Sequence, residues 1–416
     1  MSKEKSGLII SEDWVATGLG FFIIIFILFQ IVLPTPVYGW STTHDLFIQV
    51  LNIDNLSAIT RQGLLILVVI IFSARLTGKS VSASIKVFLL LFCISQLAFV
   101  FGGNSIIKFY GLEAVLFSLL LGLVVSRIIK LPAEWQSVLS TELYVKIGLV
   151  LLGTSIIFSD VLKAGFLGLL QSLIVVISVW YFAFWVSKKL KVEKDLALML
   201  SSAVSICGVS AAIATAGAIK GDSKKLSFII SLVLVTAIPM MIGMPYLAKF
   251  LNLTPEITGA WLGGTIDTTG AVVAAGSLAG EAALKVSTIV KFSQNVLLGL
   301  AAFAISIYWA YTSKTENAES PSFKMIWARF PKFVIGFIMA SVLFSFFIAP
   351  EKIILVKDSL KSIQTLWFVL AFTSIGFETK FTDFTKRENR RPLFAFLLAQ
   401  FFNIAITLLV SWFLFS

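Results

Sequence analysis

The sequence predicts an all-α polytopic membrane protein, on three observations. Of its 416 residues, 58% are hydrophobic and only 13% charged, with a mean hydropathy of +0.97. Water-soluble domains carry about a quarter charged residues, so too little polar surface is left here to face water. Apolar runs near the roughly 20 residues that a helix needs to cross a bilayer recur from one end of the chain to the other. The Lys and Arg residues fall in alternate short loops, which is the bias that orients membrane helices.

Thirteen helical segments follow in order: 14–33, 58–74, 85–103, 111–127, 144–159, 164–187, 195–219, 225–248, 258–280, 284–312, 330–349, 360–377 and 393–415. The first follows Lys3 and Lys5, exceeds the apolar stretch of a signal peptide and lacks a small-residue cleavage site, so it reads as a retained signal anchor. The second has the shortest apolar centre, Leu64 to Phe72.

With the N-terminus in the cytoplasm and every segment crossing, the inner stretches hold 21 of the 33 Lys and Arg residues and the outer loops 10, while Lys146 and Lys291 lie inside segments. The densest inner loops are Lys188-Lys189-Leu190-Lys191 and Lys386-Arg387-Glu388-Asn389-Arg390-Arg391. This places the C-terminus outside. The outer loop with Lys220, Lys224 and Lys225 fits worst; it moves inside if segment 195–219 is a re-entrant hairpin, and both topologies stay open at this stage.

Composition excludes several classes. The net charge of +11 invites a nucleic-acid partner, but its loop distribution argues for a lipid bilayer instead. Cys93 and Cys207 make neither a disulfide framework nor a zinc site. The sole histidine, His44, falls in a predicted outer loop, which excludes an intramembrane histidine proton relay. No Walker loop, metalloprotease motif or dinucleotide fingerprint occurs. The expectation is a non-enzyme with no resident cofactor or metal.

Two internal echoes stand out. Thr154-Ser155-Ile156-Ile157-Phe158 closes the fifth segment and Thr373-Ser374-Ile375-Gly376-Phe377 the twelfth. A second echo has a period near 60: Ser205-Ile206 recurs as Thr265-Ile266, Ala216-Gly217 as Ala275-Gly276, and Ser227 as Ser287. Repeated material of this kind is common in transporters.

Two segments break uniform apolarity. One is Ser201-Ser202-Ala203-Val204-Ser205-Ile206-Cys207-Gly208-Val209-Ser210-Ala211-Ala212; the other runs from Gly263 to Gly276 and contains Gly264-Thr265-Ile266-Asp267-Thr268-Thr269-Gly270. Gly, Ser and Thr in such density weaken a helix, and non-helical backbone at membrane depth is tolerated only where protein or a water-filled cavity surrounds it. Freed amides at a half-helix N-terminus suit an anion and freed carbonyls a cation. The bland alternative is close helix packing, favoured for Ala211, Ala212, Ala274 and Ala275.

Asp267 lies fourteen residues before Glu281, about 20 Å deep at 1.5 Å per residue, where an acid is usually functional. Lys291 lies ten residues after Glu281, about 15 Å deep by the same rise. The two can meet and neutralise each other; the alternative has Asp267 capping a half-helix and Lys291 snorkelling. Gln294 and Asn295 offer uncharged hydrogen-bonding groups, or serve as links between helices. Glu113, Lys146 and Asp160 fall near segment ends, Gln96 and Gln171 read as interhelical bonds, and Thr373, Ser374 and Glu378 mark a third weak point beside Gly376. Cys207 reads as a small buried hydrophobe rather than a reactive thiol.

At these segments the chain resembles the sulfate exporter family of bacterial multi-pass membrane proteins, as a divergent member. Ser205 to Ala211 match its Ser-Ile-Cys-Gly-x-Ser-Ala motif. Gly263 to Gly276 keep the frame of its second motif, but the family's His is Asp267, its Glu Thr268 and its Gln Ala271. Val290-Lys291 match a Val-Lys pair, and Gln294 stands where an Arg is common. Gly148 to Gly153, Leu370 to Thr379 and Arg391-Pro392-Leu393 also resemble its patterns, so the likeness covers about residues 110–416.

The resemblance implies kinship with bile-acid symporters and cation/proton antiporters. It implies N-terminal helices over 1–110, then two inverted five-helix repeats over 111–250 and 258–416 with broken crossing helices, a homodimer, and a bacterial inner-membrane location. The expected function is secondary active transport of a small anion such as sulfate, a sulfonate or a carboxylate, by alternating access. Ser205, Cys207, Gly208, Ser210, Gly264, Thr265, Thr268, Thr269, Lys291, Gln294 and Asn295 are the expected solute contacts. Asp267, Thr373 and Ser374 are the expected coupling residues for Na⁺ or H⁺. A cation/proton antiporter and a non-transporting membrane receptor are the competing readings.

Overall fold

A computed structural model describes residues 11–29, 33–109, 114–219, 221–312, 331–378 and 390–416. Lys3, Lys5, Glu113, Lys220 and the basic loop 379–389 lie outside the described residues, as do the side chains of Asp160 and Lys224. Among the described residues the protein is helical throughout, with no strand beyond one isolated bridge, Trp40 to Asn104. The principal helices are α1 (Glu12–Leu28), α2 (Ile53–Leu76), α3 (Val81–Gly103), α4 (Ala114–Ile128), α5 (Thr141–Leu152), α6 (Phe158–Lys189), α7 (Lys194–Ser205), α8 (Val209–Ile219), α9 (Ser223–Phe250), α10 (Pro255–Thr265), α11 (Thr269–Ala279), α12 (Glu281–Thr312), α13 (Lys332–Val342), α14 (Pro350–Glu378) and α15 (Arg390–Phe415). Seven described spans are long and apolar enough to cross a membrane, and shorter apolar helices accompany them.

Contacts divide the chain into two compact units: Met1–Phe158 with Lys332–Glu378, and Ser159–Pro331 with Thr379–Ser416. The first unit extends one expectation and corrects another. The second predicted segment is longer than its apolar centre, because Asn52 caps α2 by accepting from Asn55 N, and polar residues of the early turns find backbone partners. Asn55 bonds Val37 and Val50, and Gln62 bonds Pro34. The weak point expected at Gly376 is absent, since α14 runs unbroken to Glu378. A Cβ on Gly376 would lie 2.6 Å from the Gly122 carbonyl carbon, so the missing side chains let α4 and α14 approach closely. Thr373 and Ser374 link helices of this unit: Thr373 Oγ1 bonds Ser95 Oγ at 3.1 Å, and Thr141 Oγ1 donates to Ser374 Oγ at 2.6 Å. Lys146 pairs with Glu12, Asp13 and Glu142 at 3.1, 3.0 and 2.9 Å, which agrees with its expected place at a segment end.

The second unit holds both broken segments, and each folds back as a helical hairpin. In the first, the Ser201, Ser202 and Ser205 hydroxyls donate to carbonyls one turn back, which keeps these polar groups satisfied inside α7. The helix then stops at Gly208, whose φ of +61° and bond from its N to Ala203 O form a left-handed helix end. A Cβ there would meet Val233 Cγ1 at 2.6 Å and Asp267 Cβ at 3.1 Å, so conformation and space both require glycine. Past Gly208, α8 returns beside α7. Lys225 bonds Asp195 at 2.7 Å and also pairs with Glu193, and Met199 Sδ lies 3.4 Å from where a Gly221 Cβ would stand. A straight continuation would hold these pairs tens of ångströms apart at 1.5 Å per residue.

The second hairpin is α10–α11. Thr254 caps α10 ahead of Pro255. Ile266 and Thr268 are extended, and the Thr268 hydroxyl accepts from Ala271 N to start α11. Along α12, Gly259, Gly263 and Ile266 meet Ala283, Ser287 and Lys291 in turn, whereas Thr269 and Gly276 meet Asn295 and Leu284. The arms therefore run parallel and antiparallel to the same half of α12, which excludes a straight crossing.

The hairpins come from opposite ends. The second has its base at Glu281, the start of α12, while Lys194 at the base of the first lies 5.2 Å from the Tyr308 ring near its end. The period-60 echo has a structural meaning: each copy is a hairpin followed by a long helix, with 205–206 and 265–266 at the two tips.

Candidate solute site at the hairpin tips

The first arms α7 and α10 end in carbonyls that no helical turn satisfies. Long polar side chains from α12 and α15 supply the donors. Lys291 Nζ donates to Ile206 O and Ile266 O, each at 2.9 Å, and to Gln294 Oε1 at 2.6 Å. Gln294 Nε2 donates to Ser205 O at 3.0 Å and Gly264 O at 3.2 Å. Asn403 Nδ2 donates to Val204 O and Thr265 O, both at 3.1 Å, and Gln400 Nε2 to Thr265 O at 3.2 Å. One ammonium and two amides, Lys291, Gln294 and Asn403, thus pin the two tips together, while Gln400 holds the second tip alone. All four residues are buried, Lys291 to 1% exposure.

Asp267 stands one peptide beyond Ile266 and is also 1% exposed. Neither of its carboxylate oxygens has a hydrogen-bond partner, and no ion pair joins it to Lys291 among the described residues. The expected Lys–Asp bridge is not made. The two residues do share a neighbourhood, but the tip carbonyls take up the ammonium. Three further buried oxygens beside this tip also lack partners: Thr265 Oγ1, Asn295 Oδ1 and Gln400 Oε1.

Exposure is uneven across the tips. Ser201 to Gly208 and Ala260 to Asp267 are buried. Val209 and Ser210 on α8, and Thr268, Thr269 and Gly270 at the start of α11, reach the surface in part. The accessible tip surface is therefore made of the first turns of two helices, where free amides and the positive dipole end favour negative charge.

Of the expected site residues, Ser205, Cys207, Gly208, Ser210, Gly264, Thr265, Asp267, Thr268, Thr269, Lys291, Gln294 and Asn295 gather at the tips in the second unit. Ser205 turns its hydroxyl back to Ser201 O and offers its carbonyl instead. Thr269 Oγ1 accepts from Asn295 Nδ2 at 3.2 Å. Thr373 and Ser374 belong to the first unit. Gln171 bonds Ala260 O and accepts from Ser411, the interhelical role expected for it. The sequence reading missed Gln400 and Asn403. Their signal was a stripe on the last helix, since Gln400, Asn403, Thr407 and Ser411 recur every three or four residues and are all buried.

A family model described as "Conserved hypothetical protein 698" matches residues 86–395, which include both hairpins and Lys291. The chain belongs to this family. Bacterial membrane proteins resemble it over most of its length. A UPF0324 membrane protein of Rhodopirellula baltica is 38% identical over 363 residues, covering 85% of this chain and 67% of that one. A UPF0324 membrane protein of Nitratidesulfovibrio vulgaris is 36% identical over 353 residues, covering 82% and 61%. The chain spans about two thirds or less of these relatives' length. No solved structure matches. Family membership and the apolar helices together make this a membrane protein.

Proposed function

We propose that this chain is a secondary active transporter of a small anion, such as sulfate, a sulfonate or a carboxylate, bound between the hairpin tips and coupled to Na⁺ or H⁺ at Asp267. The observation that carries the reading is the exposure pattern. Donors from α12 and α15 fill the negative helix ends, and the positive ends of α8 and α11 face outward with Ser210, Thr268 and Thr269. Lys291 lies ten residues from Glu281, about 15 Å and so about half the hydrocarbon thickness. A solute held at that depth crosses only if the protein alternates its access.

Re-entry of both hairpins also repairs the charge topology. It transfers Lys220, Lys224 and Lys225 to the inner side and Lys249 to the outer, so 21 Lys and Arg against 10 become 23 against 8. The termini stay on opposite faces, because two crossings are lost together. Cysteines placed at Lys191→Cys and Asp222→Cys are expected to react with an impermeant maleimide from one face, and Asn252→Cys from the other. Labelling of 191 and 222 from opposite faces sinks this topology.

The function is tested by thermal stability of the purified protein against sulfate, sulfonates, bicarbonate and carboxylates, each with and without Na⁺ and at two pH values. A ligand of the folded state raises Tm with concentration, by RT ln(1 + [L]/Kd) in free energy. One anion class should do so. A cation/proton antiporter, the reading that the partnerless Asp267 carboxylate favours, predicts no anion effect and a cation effect alone. A bound anion with no flux in vesicles would make the chain a receptor.

A further inference from the structure

We infer that a dehydrated alkali cation of the Na⁺ class binds behind the anion surface, held by Thr265 Oγ1, the Asp267 carboxylate, Asn295 Oδ1 and Gln400 Oε1. The inference rests on the transport reading above and names its coupling ion and ligands. These groups are buried, at 1%, 1%, 6% and 4% exposure, and none of the named oxygens has a partner. Buried polar atoms are paired in the great majority of cases, so three lone oxygens on one tip and two on the amides bonded to it mark a ligand that brings its own positive charge.

Hydrogen bonds bring them together. Thr265 and Asp267 flank Ile266 at the tip. Gln400 donates through Nε2 to the Thr265 carbonyl, which fixes its amide orientation and leaves Oε1 beside the same residue. Asn295 donates through Nδ2 to Thr269 Oγ1, two residues past Asp267, and lies one helical turn beyond Lys291. Every one of these groups thus belongs to the tip 265–269 or is hydrogen-bonded to it.

Charge sets the class of ion. Hard cations take oxygen ligands, and divalent sites are built with more carboxylate charge. One carboxylate stands against the Lys291 ammonium on the neighbouring carbonyl, so a monovalent ion leaves one net positive charge and a divalent ion would leave two. Asp267, Lys291 and the ion then sum to +1, which draws an anion to the adjoining helix N-termini. Cation and anion each raise the affinity of the other, as linkage requires.

The test is binding of sodium-22 to the purified full-length protein in N-methyl-D-glucamine gluconate, with unlabelled Na⁺, Li⁺ and K⁺ as competitors. Saturable binding displaced by unlabelled Na⁺ is expected. Thr265→Val, which keeps the buried shape, and Gln400→Leu should each weaken it at least about tenfold, whereas Thr265→Ser should retain it. Absence of saturable alkali binding by the wild type overturns the inference, as does equal binding by the wild type, Thr265→Val and Gln400→Leu. Sodium binding without any anion effect on Tm leaves the cation site standing and removes the anion transporter. An anion effect without sodium binding removes the cation site alone.

Discussion

Lys291→Met is expected to be the most destabilising single change at the tips. The substitution keeps an unbranched side chain one atom shorter and removes the donor shared by Ile206 O, Ile266 O and Gln294 Oε1. Each buried acceptor left without a donor costs about 1–3 kcal/mol. Three such acceptors lose their donor together, so the cost is at least about 3 kcal/mol. A loss of about 4 kcal/mol is expected, read as a fall in Tm in detergent and as new protease cleavage near residues 205–210 and 265–270. Lys285→Met on the same helix is the control. Its ion pair with Glu281 is 3.3 Å long and partly exposed, so its removal should cost under about 1 kcal/mol. Equal melting of the two variants would show that Lys291 does not hold the hairpins together.

Asp267→Asn is expected to act in the opposite way, sparing stability and removing coupling. Asn is isosteric and uncharged, and it replaces a carboxylate that has no hydrogen-bond partner, so the variant should melt at or above the wild-type temperature. A coupling ion typically changes the affinity of its co-substrate by about 5- to 150-fold. In Asp267→Asn the response of anion binding to Na⁺ and pH should vanish, and uptake into vesicles should no longer follow either gradient. Transport that persists unchanged in Asp267→Asn, with the same dependence on Na⁺ and pH, eliminates this residue as the coupling acid.

Much of the site was legible one residue at a time. Asp267 and Lys291 stood out because a charge in an apolar run is costly, and Ser205 to Ser210 and Gly264 to Gly270 because small and hydroxylated residues interrupt a helix. Their convergence was less legible. An approximate depth brought Asp267 and Lys291 near each other, but it did not show that carbonyls of two different segments would claim the ammonium. Gln400 and Asn403 escaped notice because an amide in a membrane helix usually links two helices, and single amides do not reveal which backbone they reach. Lys220, Lys224 and Lys225 held the clearest hint of the hairpins, as the positive cluster that sat worst when every segment crossed.

By itself the sequence determined the membrane class, the helical secondary structure, the two weak segments, the acid within the second and the base on the helix that follows it. These follow from local composition, because lipid tolerates only satisfied backbone and few charges. The tertiary structure alone decided that both segments turn back, that they do so from opposite ends of α12, and that Lys291, Gln294, Gln400 and Asn403 close their tips. The reason is physical: a helix end states that carbonyls are free, and only the packed neighbours state which donors reach them.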